Sequence, residues 1–187
     1  MGLPLGTLDQ TSPPTGSVGR ALPGYEVAVI NETGNQLPVG TIGKLAVRGS
    51  GMFDAYLAPF RPLASVLVNG WFLTGDLALQ SSDGSIVVCG REKSVISCGG
   101  NKVFPEEIER VMNSYPGVRT SRAFSASHPT LGEVVSAEVV TLSGWMLDIE
   151  GLRRYCMEKL SEYKAPKDIR LVEALPVTDS GKIVRTA

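Results

Sequence analysis

The fold is decided at residues 85–112, which read SIVVCGREKSVISCGGNKVFPEEIERVM. The stretch opens with β-branched residues at 85–89, a composition typical of a strand. It closes on Pro105, which suits the first turn of a helix, and on two glutamates that favour a helix amino terminus. Three apolar side chains then share one face of that helix: Ile108, Val111 and Met112. The stretch therefore predicts a strand, a glycine-rich loop and a short amphipathic helix.

Charged residues divide the chain at the same place. Residues 1–90 carry 10 charged side chains, whereas residues 91–187 carry 27. Before the division, short apolar runs at 25–31, 44–48 and 85–89 alternate with Gly, Pro and Asn turns, which predicts a β-rich meander or partial barrel. After it, strand patterns at 118–124, 134–140 and 169–172 flank a helical pattern at 148–162. We expect an α+β chain: a β-rich unit over 1–90, then a small α+β unit over 91–187, joined by a hinge.

Composition excludes several functional classes. The 187 residues carry a net charge of −1, so no global basic field would attract nucleic acid or anionic membranes. The three cysteines form no CxxC pair, which argues against a disulfide framework and a zinc site. No apolar run reaches the length of a membrane span. These features predict a cytoplasmic protein with neither a membrane span nor a nucleic-acid partner.

One residue before and one residue after the apolar run at 85–89 are candidates for binding a nucleotide. Gly70-Trp71 leads through an apolar strand to Thr74-Gly75-Asp76, where a tight turn would let the carboxylate of Asp76 accept the two hydroxyls of a ribose. Arg91 follows the strand at 85–89 and would clamp a sugar or phosphate at the junction of the two units. Alternatively, Asp76 only satisfies amides of its own turn, and Arg91 is a solvated surface charge.

Two loops are further candidates. The run CGGNK at 98–102 would let a ligand approach the backbone closely at Gly99 and Gly100, and it differs from a P-loop because GxxxxGK[ST] occurs nowhere in the chain. Near the end, Lys182 follows a glycine on a polar loop, where its ammonium would reach a phosphate. A solubilising surface charge is the alternative for that lysine.

The order of these motifs resembles the adenylate-forming superfamily, which includes acyl-CoA synthetases, nonribosomal peptide adenylation domains and luciferases. The motifs stand as GSVGR at 16–20, LPG at 22–24, GW at 70–71, TGD at 74–76, GR at 90–91, GNKVFPEEIE at 100–109 and GK at 181–182. The resemblance runs from about residue 16 to the end of the chain. It implies formation of an acyl-adenylate from a carboxylic acid and ATP, followed by transfer of the acyl group to a thiol.

The resemblance also implies roles for individual residues. Asp76 would hold the ribose hydroxyls, and Arg91 would contact the same nucleotide. Lys182 would bridge the carboxylate and the α-phosphate during adenylation. Lys93 stands at the family's hinge, where a backbone torsion changes between the two half-reactions. Gly99, Gly100 and Lys102 would belong to the loop that meets the pantetheine arm.

The resemblance implies ATP and Mg²⁺ as cofactors and CoA as co-substrate, with the Mg²⁺ ligand outside this chain. The family's phosphate loop belongs upstream of residue 16 and has no counterpart here. The chain is therefore expected to be a C-terminal fragment, or one piece of a split enzyme, that works with an upstream large domain and is inactive or weak alone. Since it ends five residues after Lys182, the loop bearing that lysine is expected to have little to anchor it.

Three functions remain open. The first is an acyl- or aryl-CoA ligase, which the run SCGGNK favours. The second is an adenylation domain that loads a carrier-protein pantetheine. The third is a non-catalytic docking module that retains the fold. The genomic reading frame upstream of Met1 would separate a fragment from a split or degenerate protein.

Overall fold

The structure is a computed structural model that describes residues 16–179 and 181–185. The chain divides into two compact units, Met1–Glu92 and Lys93–Ala187. Each unit has its own sheet and its own apolar core. The prediction of an α+β chain whose first part is β-rich is confirmed, because both helices fall in the second unit.

Over residues 16–92, the described part of the first unit, the structure has eight strands. They are β1 Ser17–Gly19, β2 Tyr25–Ile30, β3 Gly43–Gly49, β4 Ala55–Leu57, β5 Phe60–Pro62, β6 Leu67–Val68, β7 Trp71–Gln80 and β8 Ile86–Arg91. The main sheet is antiparallel in the order β1-β8-β7-β3-β2, with β6 added along β7, while β4 and β5 form a separate hairpin. A short 3₁₀ turn, Leu63–Ser65, precedes β6, and another, Glu92–Ser94, follows β8.

The main sheet of this unit buries side chains on both faces. Successive residues of β2 show this, because Ile30 packs with Ala46 and Trp71, whereas Val29 packs with Leu45 and Ile86. Neighbouring side chains on a strand point to opposite faces, so a strand buried on both faces is apolar without alternation. The apolar runs predicted at 25–31, 44–48 and 85–89 coincide with β2, β3 and β8.

In the second unit, the described residues 93–179 and 181–185 form five strands and two α-helices. They are β9 Ile96–Cys98, β10 Asn101–Val103, α1 Pro105–Asn113, β11 Val118–His128, β12 Gly132–Thr141, α2 Ile149–Lys159 and β13 Asp168–Leu171. The sheet runs β10-β9-β12-β11, and β13 lies parallel to β12. A 3₁₀ turn, Glu162–Lys164, separates α2 from β13. The core is formed mainly by one cluster in which α1 and α2 contribute fully buried Ile108, Met112 and Leu152.

The two helices begin close to where the sequence predicts and differ at their ends. Pro105 occupies the first turn of α1, as expected. In α2, Asp148 is the N-cap, because its Oδ1 accepts a hydrogen bond from the Gly151 amide at 2.9 Å. The helix predicted over 148–162 ends at Lys159. Leu160 leaves the helix with an extended backbone, and its side chain is buried in the core.

Candidate functional site

Asp76 and Arg91 face each other on neighbouring strands of the first unit. They are register partners on β7 and β8. The Nε atom of Arg91 lies 2.9 Å from Oδ1 of Asp76, and the Asp76 side chain is 20% exposed while that of Arg91 is 53% exposed. The structure therefore joins two of the predicted site residues in one ion pair at the surface of a sheet.

The Asp76 carboxylate stands on a bulge in the middle of β7, not on a turn. The predicted Thr-Gly-Asp turn is wrong: β7 runs without interruption from Trp71 to Gln80. Between its pairings with Ala46 and Lys44, β7 advances from Leu73 to Leu77, whereas β3 moves by only two residues. Extra residues in one strand of an antiparallel pair form a bulge that re-aims side chains.

Two local features shape this bulge. Gly75 has a φ of 79°, in the left-handed region that glycine enters without steric cost. The amide of Asp76 donates to Oγ1 of Thr74 at 3.0 Å. All three residues of the Thr-Gly-Asp motif thus shape the backbone that presents the carboxylate.

The Asp76–Arg91 pair is chemically suited to a sugar hydroxyl. An ionised carboxylate only accepts hydrogen bonds, and each of its oxygens can accept more than one. Arg91 holds Oδ1 at 2.9 Å. A hydroxyl-bearing ligand would therefore find a fixed, charged acceptor beside a guanidinium.

Gly99 and Gly100 form the two-residue turn of the β9–β10 hairpin. Cys98 and Asn101 pair on either side of it, and the two glycines have φ values of 56° and 83°. Positive φ at both central residues defines the type I′ turn, which matches the twist of the flanking strands. A Cβ atom on either glycine would meet nothing within 4 Å, so the backbone conformation, not crowding within the described structure, favours glycine here.

The glycine hairpin is fastened to the sheet by a carboxylate that the sequence reasoning missed. Glu133, on β12, accepts a hydrogen bond from the Ser97 amide through Oε2 at 2.8 Å. Next to it, Gly132 pairs with Cys98. Lys102 lies on the outer strand, opposite Ser97, with an exposed side chain. The hairpin therefore presents its glycine turn and one lysine from an anchored base.

Lys93 is exposed and lies in the 3₁₀ turn Glu92–Ser94, directly after β8. The residue before it is tied down: Lys44 on β3 lies 2.9 Å from Glu92 and 2.6 Å from Glu32. The hydrogen bonds to Glu32 and Glu92 raise the pKa of the Lys44 ammonium. The first unit thus holds its last residue by an ion pair, and Lys93 begins the second unit.

Lys182 lies at the end of a tight turn closed by backbone hydrogen bonds. The amide of Thr178 donates to the Lys182 carbonyl at 2.8 Å, and the Gly181 amide donates to the Thr178 carbonyl at 2.8 Å. Val177 and Ile183 form a β-bridge beyond them. The Lys182 side chain is exposed, as a group that meets a ligand must be.

The expectation that this loop lacks an anchor is wrong. Arg185 forms two hydrogen bonds to Glu109 of α1, at 2.8 and 2.7 Å. Arg122 of β11 donates to the Val184 carbonyl at 2.7 Å. One sequence signal pointed to Glu109: it lies between Ile108 and Met112 on the buried side of α1, where an ionised residue needs a partner.

Apart from Lys93, which lies in the 3₁₀ turn after β8, the predicted site residues fall into three local groups. Asp76 and Arg91 form one pair in the first unit, whereas the glycine hairpin and the Lys182 turn belong to the second. In the part of the chain that the structure describes, no group of three or more His, Cys, Asp or Glu residues is arranged to hold a metal ion. None of its helices is both long and apolar enough to cross a membrane.

Two families match separate parts of the sequence. Residues 3–57 match the family described as AMP-binding enzyme, and residues 107–182 match the AMP-binding enzyme C-terminal domain. An indoleacetate–CoA ligase of Aromatoleum aromaticum is 34% identical over 168 residues, which are 90% of this chain and 33% of the ligase. The chain spans about a third of the length of the curated relatives it matches.

The chain is also similar to solved structures of proteins of this kind. The ATP-bound crystal structure of MatB from Rhodopseudomonas palustris has a TM-score of 0.80 and 35% identity over 90% of this chain and 34% of MatB. The o-succinylbenzoate CoA synthetase of Bacillus subtilis, in complex with its acyl-adenylate intermediate, has a TM-score of 0.84 and 29% identity over 91% of this chain and 35% of the synthetase.

Proposed function

Because the chain belongs to the adenylate-forming superfamily of AMP-binding enzymes, we propose that it is the C-terminal portion of an ATP-dependent acyl- or aryl-CoA ligase. One observation carries the proposal: two relatives that match nine tenths of the chain, the indoleacetate–CoA ligase and the o-succinylbenzoate CoA synthetase, are named for different acids but both have coenzyme A in their names. The common acceptor supports a CoA thioester as the product, and the differing acids leave the acid unassigned.

In the first half-reaction, a carboxylate oxygen of the acid attacks the α-phosphorus of ATP. The bond from that phosphorus to the leaving pyrophosphate breaks, and an acyl-adenylate forms. Asp76 would accept hydrogen bonds from the ribose hydroxyls, and Arg91 would hold Asp76 and contact the same nucleotide. The 2.9 Å ion pair between them supports this assignment, because it fixes the carboxylate before the nucleotide arrives.

Lys182 would stabilise the negative charge that builds between the acid and the α-phosphate. Its ammonium is exposed on a turn whose backbone is closed by hydrogen bonds. A donor that is already aimed at developing charge contributes about 3–4 kcal/mol to a transition state. This lysine would therefore act in adenylation.

In the second half-reaction, the thiol sulfur of CoA attacks the acyl carbonyl, and AMP leaves. The glycine turn of the β9–β10 hairpin would face the pantetheine arm, and Lys102 would meet a phosphate. Lys93 would be the pivot between the two half-reactions. The open space around Gly99 and Gly100 supports a turn that accepts an arm beside it.

The test uses the protein translated from the complete reading frame that contains this sequence. With ATP, Mg²⁺, CoA and a panel of acids, we expect acid-dependent release of pyrophosphate and a CoA thioester. Acylation of a carrier protein without any CoA thioester would establish the carrier-loading alternative. Absence of pyrophosphate release with every acid, together with AMP binding at Asp76, would favour a docking module.

The role of Lys182 is tested by separating the half-reactions. Lys182→Ala should lower pyrophosphate release by about 100-fold or more, while thioester formation from supplied acyl-adenylate changes by less than about threefold. Lys167→Ala is the matched control, because it removes an exposed lysine of the same unit to which the proposal gives no role, and it should leave both half-reactions unchanged. Equal losses in both half-reactions would refute the role given to Lys182.

A further inference from the structure

The turn that carries Lys182 is held on the second unit by its following residues. Within residues 176–185, the Val184 amide donates to the Pro176 carbonyl at 2.9 Å, which closes the base of the loop. The Val184 carbonyl then accepts from Arg122 of β11 at 2.7 Å. The next residue, Arg185, reaches α1. The loop is therefore fastened at its base, and its tip with Lys182 projects from that base.

Glu109 is the centre of this attachment. It is 6% exposed, and its Oε1 accepts from the Ala123 amide at 3.0 Å and from Nε of Arg185 at 2.8 Å. Its Oε2 accepts from Nη2 of Arg185 at 2.7 Å. One buried carboxylate thus ties together helix α1, strand β11 and the end of the loop.

The guanidinium of Arg185 also contacts a second carboxylate. Its Nη1 lies 3.3 Å from Oε1 of Glu106, one turn before Glu109 on α1. A planar guanidinium bonded to one carboxylate through two parallel hydrogen bonds has its direction and its distance fixed together. The hydrogen bonds to Glu109 raise the pKa of Arg185, so the guanidinium keeps its positive charge at any pH an enzyme meets.

We infer that Glu109 and Arg185 are positioning residues for Lys182 in adenylation, an inference that rests on the proposed function. Arg185 lies three residues after Lys182, beyond the base of the turn. Its bonds to Glu109 set where that base stands on α1. The ammonium of Lys182 must meet a transition state within a fraction of an ångström, and misplacement by about 1 Å costs about 100-fold in rate. The pair would thus act through Lys182 without touching substrate.

The test compares Arg185→Gln with Glu107→Gln in the protein from the complete reading frame. Arg185→Gln removes the two hydrogen bonds from the guanidinium to Glu109. Glu107→Gln removes an equally close ion pair from the same helix, because Glu107 accepts from Lys164 at 2.7 and 2.8 Å. We expect Arg185→Gln to lower the kcat of pyrophosphate release by about tenfold to 100-fold. KM for ATP and thioester formation from supplied acyl-adenylate should change by less than about threefold, and the control should change none of these.

Two further variants keep the result interpretable. Arg185→Gln leaves the buried Glu109 carboxylate unpaired, so the double variant Glu109→Gln/Arg185→Gln removes both charges and should show the same loss of adenylation with less loss of stability. In a Lys182→Ala background, Arg185→Gln should cause no additional loss, because the group being positioned is gone. An additional loss of about tenfold there would overturn the inference.

Hydrogen exchange on the 187-residue chain gives a readout without substrate. Arg185→Gln should speed exchange of the Val184 amide by about tenfold or more, since its bond to Pro176 closes the base of the loop. Unchanged exchange would overturn the inference. If Lys182→Ala leaves adenylation intact, the proposed function itself is refuted, because it assigns that step to Lys182. If only Arg185→Gln is without effect, the inference fails and the proposed function stands.

Discussion

Replacing Gly75 with alanine should cost stability in the first unit for a purely conformational reason. Gly75 has a φ of 79°, a region where an L-residue is disfavoured by about 1–2 kcal/mol. Steric crowding adds nothing to this cost, because a Cβ atom at Gly75 would lie 3.7 Å from Nη1 of Arg91, which is an ordinary van der Waals contact. We therefore expect Gly75→Ala to lower the free energy of unfolding by about 1–2 kcal/mol, a factor of about 5–30 in the folding equilibrium.

Urea unfolding of the 187-residue chain measures this loss. The chain has two tryptophans, one in each unit, and Trp71 is 6% exposed in the core of the first. Fluorescence in a Trp145→Phe background therefore reports the first unit alone. Gly75→Asn is the control, since asparagine tolerates positive φ better than alanine and should lose less.

The same substitution should affect the candidate site. If the backbone relaxes to relieve the strain at Gly75, Asp76 turns away from Arg91, and KM for ATP in the complete protein should rise. If Gly75→Ala and Gly75→Asn both unfold within about 0.3 kcal/mol of the parent, the bulge is not strained at Gly75. That result would refute the reasoning about how the motif presents its carboxylate.

Three other predictions test separate features. Asp76→Asn should raise KM for ATP by about tenfold or more with a smaller effect on kcat, since a charged acceptor is lost; an unchanged KM in steady-state assays would exclude Asp76 from nucleotide binding. Glu133→Ala should slow single-turnover thioester formation several-fold and leave pyrophosphate release intact, because the β9–β10 hairpin loses its bond at Ser97; an equal loss in both reactions would contradict a role confined to the hairpin. Burial raises the pKa of the Cys156 thiol from 9.0 to about 11. Between these pH values the unfolded chain loses a proton that the folded chain keeps, so the free energy of unfolding should fall by up to about 1.4 kcal/mol per pH unit, as measured in urea. Cys156→Ala should remove that part of the pH dependence, and an identical pH dependence in both proteins would contradict the shift.

The sequence was sufficient for the elements whose signals are local. Helix α1 was predictable because Pro105 and the apolar face of Ile108 and Met112 lie within one short segment. Strands β2, β3 and β8 were predictable from short apolar runs between turn residues, which the sheet buries on both faces. In each case the residues that specify the element are near neighbours in the chain.

Features that depend on distant partners were not predictable in this way. The Thr-Gly-Asp motif has the composition of a turn, and only pairing with β3 and β8 keeps β7 extended through it. The attachment of the Lys182 loop joins Glu109 to Arg185, 76 residues further along the chain. Periodicity identifies a buried face, but it does not identify the cation that neutralises a carboxylate on that face.

Asp76 and Arg91 lie on adjacent strands of one sheet within the first unit. Under the proposed function, the hydrogen bonds to the ribose hydroxyls would then need no side chain from the second unit. A change of backbone torsion at Lys93 would leave the Asp76–Arg91 pair unchanged, so the same ribose contacts would serve both half-reactions.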